Sequence, residues 1–300
     1  MLRPGWDYKM ADDDEIVILA EDDSTIHFKN APLYSPATKE LSPVKMEPEK
    51  KRILILGWHH VAEVFIDESS DYLNDGTAYD IMYCEPSEIL KEKFDSLKSD
   101  YEDFDINIID DSPLSREGLL KVDPNIYDII LVLNQKENTD NPDAVDSDTL
   151  IILLLLRERL DKSAKTKIIT QVLNSDNQKL INQTDVDDFV ISNKLITMIL
   201  AQLSEEPKIK ILYDDIFSED GSEIYVKPVE LYYTSLPVEA RFIDIIGHAT
   251  QRDEICLGIR KGAKIKNQEE NFGVRLNIPK AETIKLEAGD FLVVLSEDEL

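Results

Sequence analysis

Ile53, Leu54, Ile55 and Leu56 form a run that is apolar on both faces, led in by Lys50, Lys51 and Arg52 and broken by Gly57. Such a strand has to lie inside a parallel sheet with both faces covered. A strand that stops at glycine before a helical pattern is how a dinucleotide-binding βαβ unit opens. Against the spacing G-x-G-x-x-G, Gly57 fills the first position, His59 falls on the second and Ala62 on the third. Only the tight-turn glycine is kept. The ring of His59 stands where backbone has to lie against a pyrophosphate, so the fold is expected with a weakened phosphate cradle.

The pattern continues in alternation. Val61, Val64, Phe65 and Tyr72 can mark one face of a first helix, and Tyr79 to Cys84 is a second strand followed by Glu85. Glu85 stands where an acidic residue binds a ribose 2′-hydroxyl, although further from Gly57 than the usual twenty or so residues. A charged helix (86–101), a strand at Ile106 to Ile109 ending in Asp110 and Asp111, and a buried strand from Tyr127 to Leu133 ending at Asn134 come next. Gln135 to Ser147 reads as a polar loop at that strand's C-terminal edge, where ligands of doubly wound sheets bind. Strands at Lys167 to Leu173 and Asp188 to Ile191 complete the sheet. The candidate ligand-facing residues are therefore Gly57, Trp58, His59, Glu85 and Asn134. Glu85, Asp110 and Asp111, with Asp140, Asp143 and Asp146 of the loop, are candidate oxygen ligands for Ca²⁺ or Mg²⁺, assembled from separate segments because no D-x-D-x-D-G loop is present.

Two helical stretches are too apolar for a surface. Leu150 to Leu156 is apolar all round, and the helix after Ser192 carries Leu195, Ile196, Ile199 and Leu203 on one stripe, which points to self-association. From Glu223 the texture changes to short strands and one helix, a smaller α+β lobe: strands at Ile224 to Val226, Val229 to Tyr233, Ile255 to Ile259, Gly273 to Ile278 and Phe291 to Leu295, with a helix from Pro237 to Thr250. The fold class is thus α/β, a Rossmann-like doubly wound parallel sheet followed by an α+β C-terminal lobe.

The start of the chain repeats its end. DDEIVILAEDD at Asp13 aligns with GDFLVVLSEDE at Gly289, pairing Asp14 with Asp290, Val17 with Val293, Leu19 with Leu295 and Glu21 with Glu297. Residues 1–28 are therefore expected to be the tail of a preceding C-terminal lobe, and 29–49, with Pro32, Pro36, Pro43 and Pro48, a linker. Residues 50–206 are the Rossmann-like lobe with its crossover helix, and 207–300 the C-terminal lobe.

Charge narrows the function classes. The net charge of −28 leaves no broad face able to neutralise phosphates, which argues against nucleic acid. The acid is concentrated before the C-terminal lobe, net −24 over Met1 to Lys227 and −4 thereafter. Cys84 and Cys256 are far apart, without CxxC or nearby histidines, and read as reduced thiols of a cytosolic-type compartment. Met1 to Tyr8 lacks an apolar signal core, and the longest apolar run is far below the ~20 residues a membrane span needs.

ILILGW at Ile53 to Trp58, LIILLLLRERL from Leu150, VISN at Val190 to Asn193, GSEIYVKP from Gly221, ICLGIRKG at Ile255 to Gly262 and the closing EAGDFLVVLSEDE resemble, in this order, the CASTOR and POLLUX family of ion channels. The likeness is to their cytosolic tandem of regulator of K⁺ conductance (RCK) domains. It implies a non-enzymatic gating module that pairs through its crossover helix. Such modules assemble into a ring below a pore and respond to Ca²⁺ or to a nucleotide such as NAD or ADP. The pore-forming membrane domain would lie in the parent polypeptide or in a partner, tethering a cytoplasmic module to the membrane. An NAD-dependent oxidoreductase is the alternative enzyme class, but no acid–base pair accompanies His59, His60 or His248 in the sequence. An oligomerisation scaffold with a degenerate nucleotide pocket is the third.

Overall fold

The computed structural model describes residues 8–20, 26, 29–37, 40–44, 50–70, 73, 75–133, 141–161, 164–181, 188–217, 222–265 and 267–297. The chain divides into two compact units, Pro48–Pro207 and Met1–Glu47 with Lys208–Leu300.

In the first unit the apolar run becomes β1 (Arg52–Leu56), the inner strand of a six-stranded parallel sheet. Its neighbours are β2 (Ala78–Tyr83) and β4 (Ile129–Val132), followed outward by β3 (Asp105–Asp110) on one side and by β5 (Lys167–Val172) and β6 (Asp188–Ile191) on the other. The order is β3-β2-β1-β4-β5-β6. Successive side chains of a strand point to opposite faces, and β1 feeds two cores. Leu54 and Leu56 pack with Ile152, Leu153 and Leu156 of α4 (Pro142–Arg159). Ile53 and Ile55 pack with Ala62 and Ile66 of α1 (His60–Ser70) and with Phe94 and Leu97 of α2 (Glu88–Asp100). The described residues of this unit also form α3 (Arg116–Leu119), α5 (Gln178–Ile181) and α6 (Ser192–Glu205), the helix expected as the crossover.

Two local expectations change. The sheet-facing stripe of α1 is Ala62 with Ile66, while Val61 and Val64 are exposed; the small Ala62 lets the helix lie close to the sheet. Tyr72 lies outside the described residues. The polar stretch after β4 is shorter than expected, because Asn141 caps α4 by accepting the Ala144 N–H at 3.2 Å and Pro142 occupies the first turn. Asp143 and Asp146 are therefore helical. Of the all-apolar run in α4, Ile151 and Leu154 are exposed.

The second unit holds α7 (Ile209–Ile216), an antiparallel sheet and a two-stranded ribbon. The sheet contains β7 (Glu223–Pro228), β9 (Ile255–Arg260), β10 (Val274–Leu276) and β12 (Phe291–Ser296) in the order β10-β9-β12-β7. The ribbon pairs β8 (Val238–Arg241) with β11 (Thr283–Leu286), and α8 (Phe242–Thr250) covers the core. Val229 to Leu231, expected as a strand, is a 3₁₀ turn in which Val229 donates its N–H to Asp290. The expected helix at Pro237 begins as β8, because those residues pair with β11, a strand the sequence pattern concealed. Gly258 has no room for a side chain: a Cβ there would lie 2.1 Å from the Arg275 carbonyl oxygen across the β9–β10 pair.

A buried charge pair ties this unit together. Lys227 Nζ donates to Glu254 Oε1 at 3.0 Å, both side chains being 2% exposed, and the same carboxylate accepts from Arg252 Nε and the Tyr232 hydroxyl. Burial first, then Glu254, pushes the Tyr232 phenol far above its ordinary value. Burial also pushes the Cys256 thiol up to about 12, which makes it inert at neutral pH. Removing one partner of such a pair strands the other charge, so Glu254→Ala is expected to destabilise this unit by about 3–5 kcal/mol. Lys227→Met with Glu254→Met should recover most of that loss, and the urea unfolding midpoints of the two variants check both.

Candidate functional site

The crevice of a doubly wound sheet opens at the C-terminal strand ends where the strand order reverses, here between β1 and β4. Gly57, at φ 96°, turns the chain there in a region that only glycine enters at little cost. Its N–H bonds the Met82 carbonyl at 3.0 Å, and Leu133 N–H bonds the Leu56 carbonyl at 2.9 Å, so both ladders run one residue past the strand.

The residues after Gly57 turn inward. Trp58 is buried and packs edge-on against Phe94 with ring centroids 4.9 Å apart, as part of the core rather than of a crevice wall. His59 is also buried; its Nδ1 accepts the Val61 N–H at 3.2 Å and its carbonyl accepts the Ala62 N–H at 2.8 Å. The first amides of a helix are what a phosphate uses. In α1 His59 takes two of them itself.

The acidic rim is likewise engaged. Glu85 has φ 51° and donates its N–H to Asp110 Oδ1 at 2.9 Å, which ties the end of β2 to the end of β3. Asp111 pairs with Lys121 and accepts the Ser112 N–H at 2.7 Å; Lys121 first, then Ser112, hold its carboxyl below the usual carboxylate range. The Cys84 thiol is pushed up by burial and then by the negative charges of Glu85, Asp110 and Asp111. Among the described residues no group of three or more His, Cys, Asp or Glu side chains is arranged to hold a metal ion. Within the expected trio Glu85, Asp110 and Asp111, one carboxylate holds an amide and another a lysine.

Asp143 and Asp146, expected as loop ligands, brace the scaffold. Asp146 is buried and accepts the N–H groups of Leu173 and Asn174 and the Asn177 side-chain amide, each at 2.9 Å, joining the first turns of α4 to the end of β5. Asp143 accepts the side-chain amides of Asn174 and Asn177. Asn134 and Asp140 lie outside the described residues. Lys121 was missed by the sequence reading, since nothing in its spacing marks it as the partner of Asp111.

On α6, Leu195 and Ile196 are 47% and 54% exposed, and Met198 and Leu200 56% and 60%, while Ile199 and Leu203 are half-buried. Among the described residues no helix is long and apolar enough to cross a membrane.

A solved structure shares this arrangement of a Rossmann-like sheet and a small α+β lobe. The human SLO3 gating ring superposes with a TM-score of 0.59 over 83% of this chain and 44% of that one, at 15% identity. No family model matches the chain. The relatives it matches are named ion channels or probable ion channels. CASTOR of Lotus japonicus is 27% identical over 100% of this chain and 38% of its own length. The probable ion channel POLLUX of Oryza sativa subsp. japonica is 26% identical over 99% of this chain and 33% of its own, and DMI1 of Medicago truncatula is 26% identical over 90% and 33%. The chain spans about a third of the length of these relatives.

The lowered Asp111 pKa has a defined sign. A carboxyl depressed on folding adds stability that is present above its ordinary range and is lost as pH falls through the lowered value. Lys121→Gln is expected to raise the Asp111 titration midpoint toward the ordinary carboxylate value, read by NMR of the side-chain carboxyl, with the sheet signals unchanged.

Proposed function

We propose that this chain is a cytosolic, ligand-sensing gating module of a CASTOR/POLLUX-like cation channel, conducting potassium in the parent assembly, and that it is not an enzyme. The observation that carries the reading is the match of nearly the whole chain to one third of several such channels, joined to a gating-ring fold. The module assembles into a ring by self-association through α6 and acts on a pore-forming membrane domain in the same polypeptide or in a partner.

The ligand is a divalent cation or a nucleotide, bound at the β1–β4 strand ends. The negative rim at Glu85, Asp110 and Asp111 supports a cation; the Gly57 turn and the α1 N-terminus support a nucleotide held chiefly through its base and ribose, because His59 occupies amides that a phosphate would need.

Separate calorimetric titrations of the full chain with Ca²⁺, NAD and ADP test this. Saturable binding of one of them is expected, with a stabilisation of about 2.7 kcal/mol at a hundredfold excess over Kd. If the ligand is Ca²⁺, Asp110→Asn with Asp111→Asn should abolish the heat. Saturation by none would leave a scaffold with a dead pocket, and hydride transfer from NADH would establish an enzyme instead.

The assembly is tested by Ile199→Glu. The charge is expected to halve the molar mass seen by light scattering while circular dichroism stays unchanged. Wild-type protein that is monomeric at high micromolar concentration would overturn pairing through α6.

A further inference from the structure

Two stretches far apart in the chain meet within the unit that joins Met1–Glu47 to Lys208–Leu300. Ala37 donates its N–H to Asp244 Oδ1 at 2.8 Å, and the Ser35 carbonyl accepts from Arg241 Nη2 at 3.4 Å. Both partners belong to one ion pair. Arg241, the last residue of β8, grips Asp244 of α8 with Nε on Oδ2 at 2.9 Å and Nη2 on Oδ1 at 2.8 Å. The chain is covered again a few residues on, where Ser42 is 8% exposed. A stretch whose prolines read as a free linker is thus fastened to the C-terminal lobe.

The clasp does not depend on the segment it holds. Arg241 and Asp244 stand three residues apart where β8 runs into α8, and that junction is fixed from several sides. Arg241 pairs with Thr283 across the ribbon, the Phe242 and Ile243 amides bond the Glu282 and Lys280 carbonyls, and Phe242 and Ile245 lie in the core. Arg241 first, and then the Ala37 N–H, hold the Asp244 carboxyl below the usual carboxylate range against its desolvation, so the acceptor is charged at neutral pH.

The segment contributes only backbone groups, a carbonyl at Ser35 and an amide at Ala37, with Pro36 between them. Proline fixes its own φ and biases the residue before it to extended backbone, so these groups lose less freedom on docking than they would in a flexible chain. Bonds to charged partners are stronger than neutral ones. Leu33 and Tyr34 nonetheless stay exposed, so apolar burial adds little at this end. Two bonds at an exposed site therefore stand against an ordering entropy of similar size, which makes the contact reversible.

We propose that Arg241 and Asp244 form a docking site for an extended, proline-centred segment, filled in cis by Ser35–Ala37, and that this strap opens and closes while the lobe stays folded. Closed, it ties the residues before it to α8, the helix that covers the lobe's core. Open, it frees them to the reach of a flexible linker.

Amide exchange of the full chain, followed by NMR, tests the strap. Ala37 is expected to exchange about 10–100-fold more slowly than in a peptide of residues 29–44, yet much faster than Leu292 to Leu295 of β12, which open only with the lobe. Asp244→Ala should return Ala37 to the peptide rate with the β12 amides unchanged, which separates loss of the clasp from loss of the fold. Asp244→Asn, which keeps an acceptor of the same shape without its charge, should leave intermediate protection. Ala37 exchanging at the peptide rate in the parent chain, exchanging as slowly as β12, or keeping its protection in Asp244→Ala would each overturn the proposal.

Discussion

The fold of the larger unit depends on the two-sided burial of four consecutive residues. Ile53 to Leu56 have no exposed surface, and alternate members feed opposite cores, one under α4 and the other under α1 and α2. Burying one such side chain stabilises by about 1.5–3 kcal/mol relative to leaving it exposed. No arrangement with water on one face of β1 can compete. Covering both faces requires helices on both sides of a parallel sheet, and that places the strand-order reversal at β1 and β4. The candidate site is a consequence of this requirement.

A second theme is how the chain uses its acid. With 61 acidic against 33 basic residues, a cation-binding rim is a natural reading of carboxylates at strand ends. In the fold many of them satisfy backbone donors: Asp110 takes the Glu85 amide, Asp146 two amides beyond β5, and Asp290 two amides around the last turn. An unpaired buried amide costs about as much as a lost hydrogen bond, so a carboxylate placed beside one serves the scaffold first. His59 acts similarly at α1, where its Nδ1 takes the Val61 amide and its carbonyl the Ala62 amide.

The strands that alternate or run wholly apolar were legible because burial on one or two faces leaves a period in the residues. β1, β2, β4, β5, β6, β9 and β12 carry such a signal. β8 and β11 do not: VEAR and TIKL are short, mixed in polarity and strands only because they pair with each other. The turn at Val229 to Leu231 was misread for the opposite reason, since residues buried by the lobe's core look like a strand whatever their backbone does. At the site, Gly57 and the ends of β2 and β3 were legible, whereas the inward turn of Trp58 and the Asp111–Lys121 pair were not, because neither has a local sequence mark.

The sequence by itself determined the doubly wound sheet, the change of texture near Glu223, the incomplete phosphate turn at His59 and Ala62, and the repeat of β12 near the start of the chain. Each is a statement about which faces must be dry or which backbone positions must be open, and that information is local. Tertiary structure decided which carboxylates are spent on amides and lysines, and which apolar residues stay uncovered on α6 and at Ile16 to Leu19. Those outcomes depend on groups distant in the chain meeting in space, which a linear pattern of polarity does not encode.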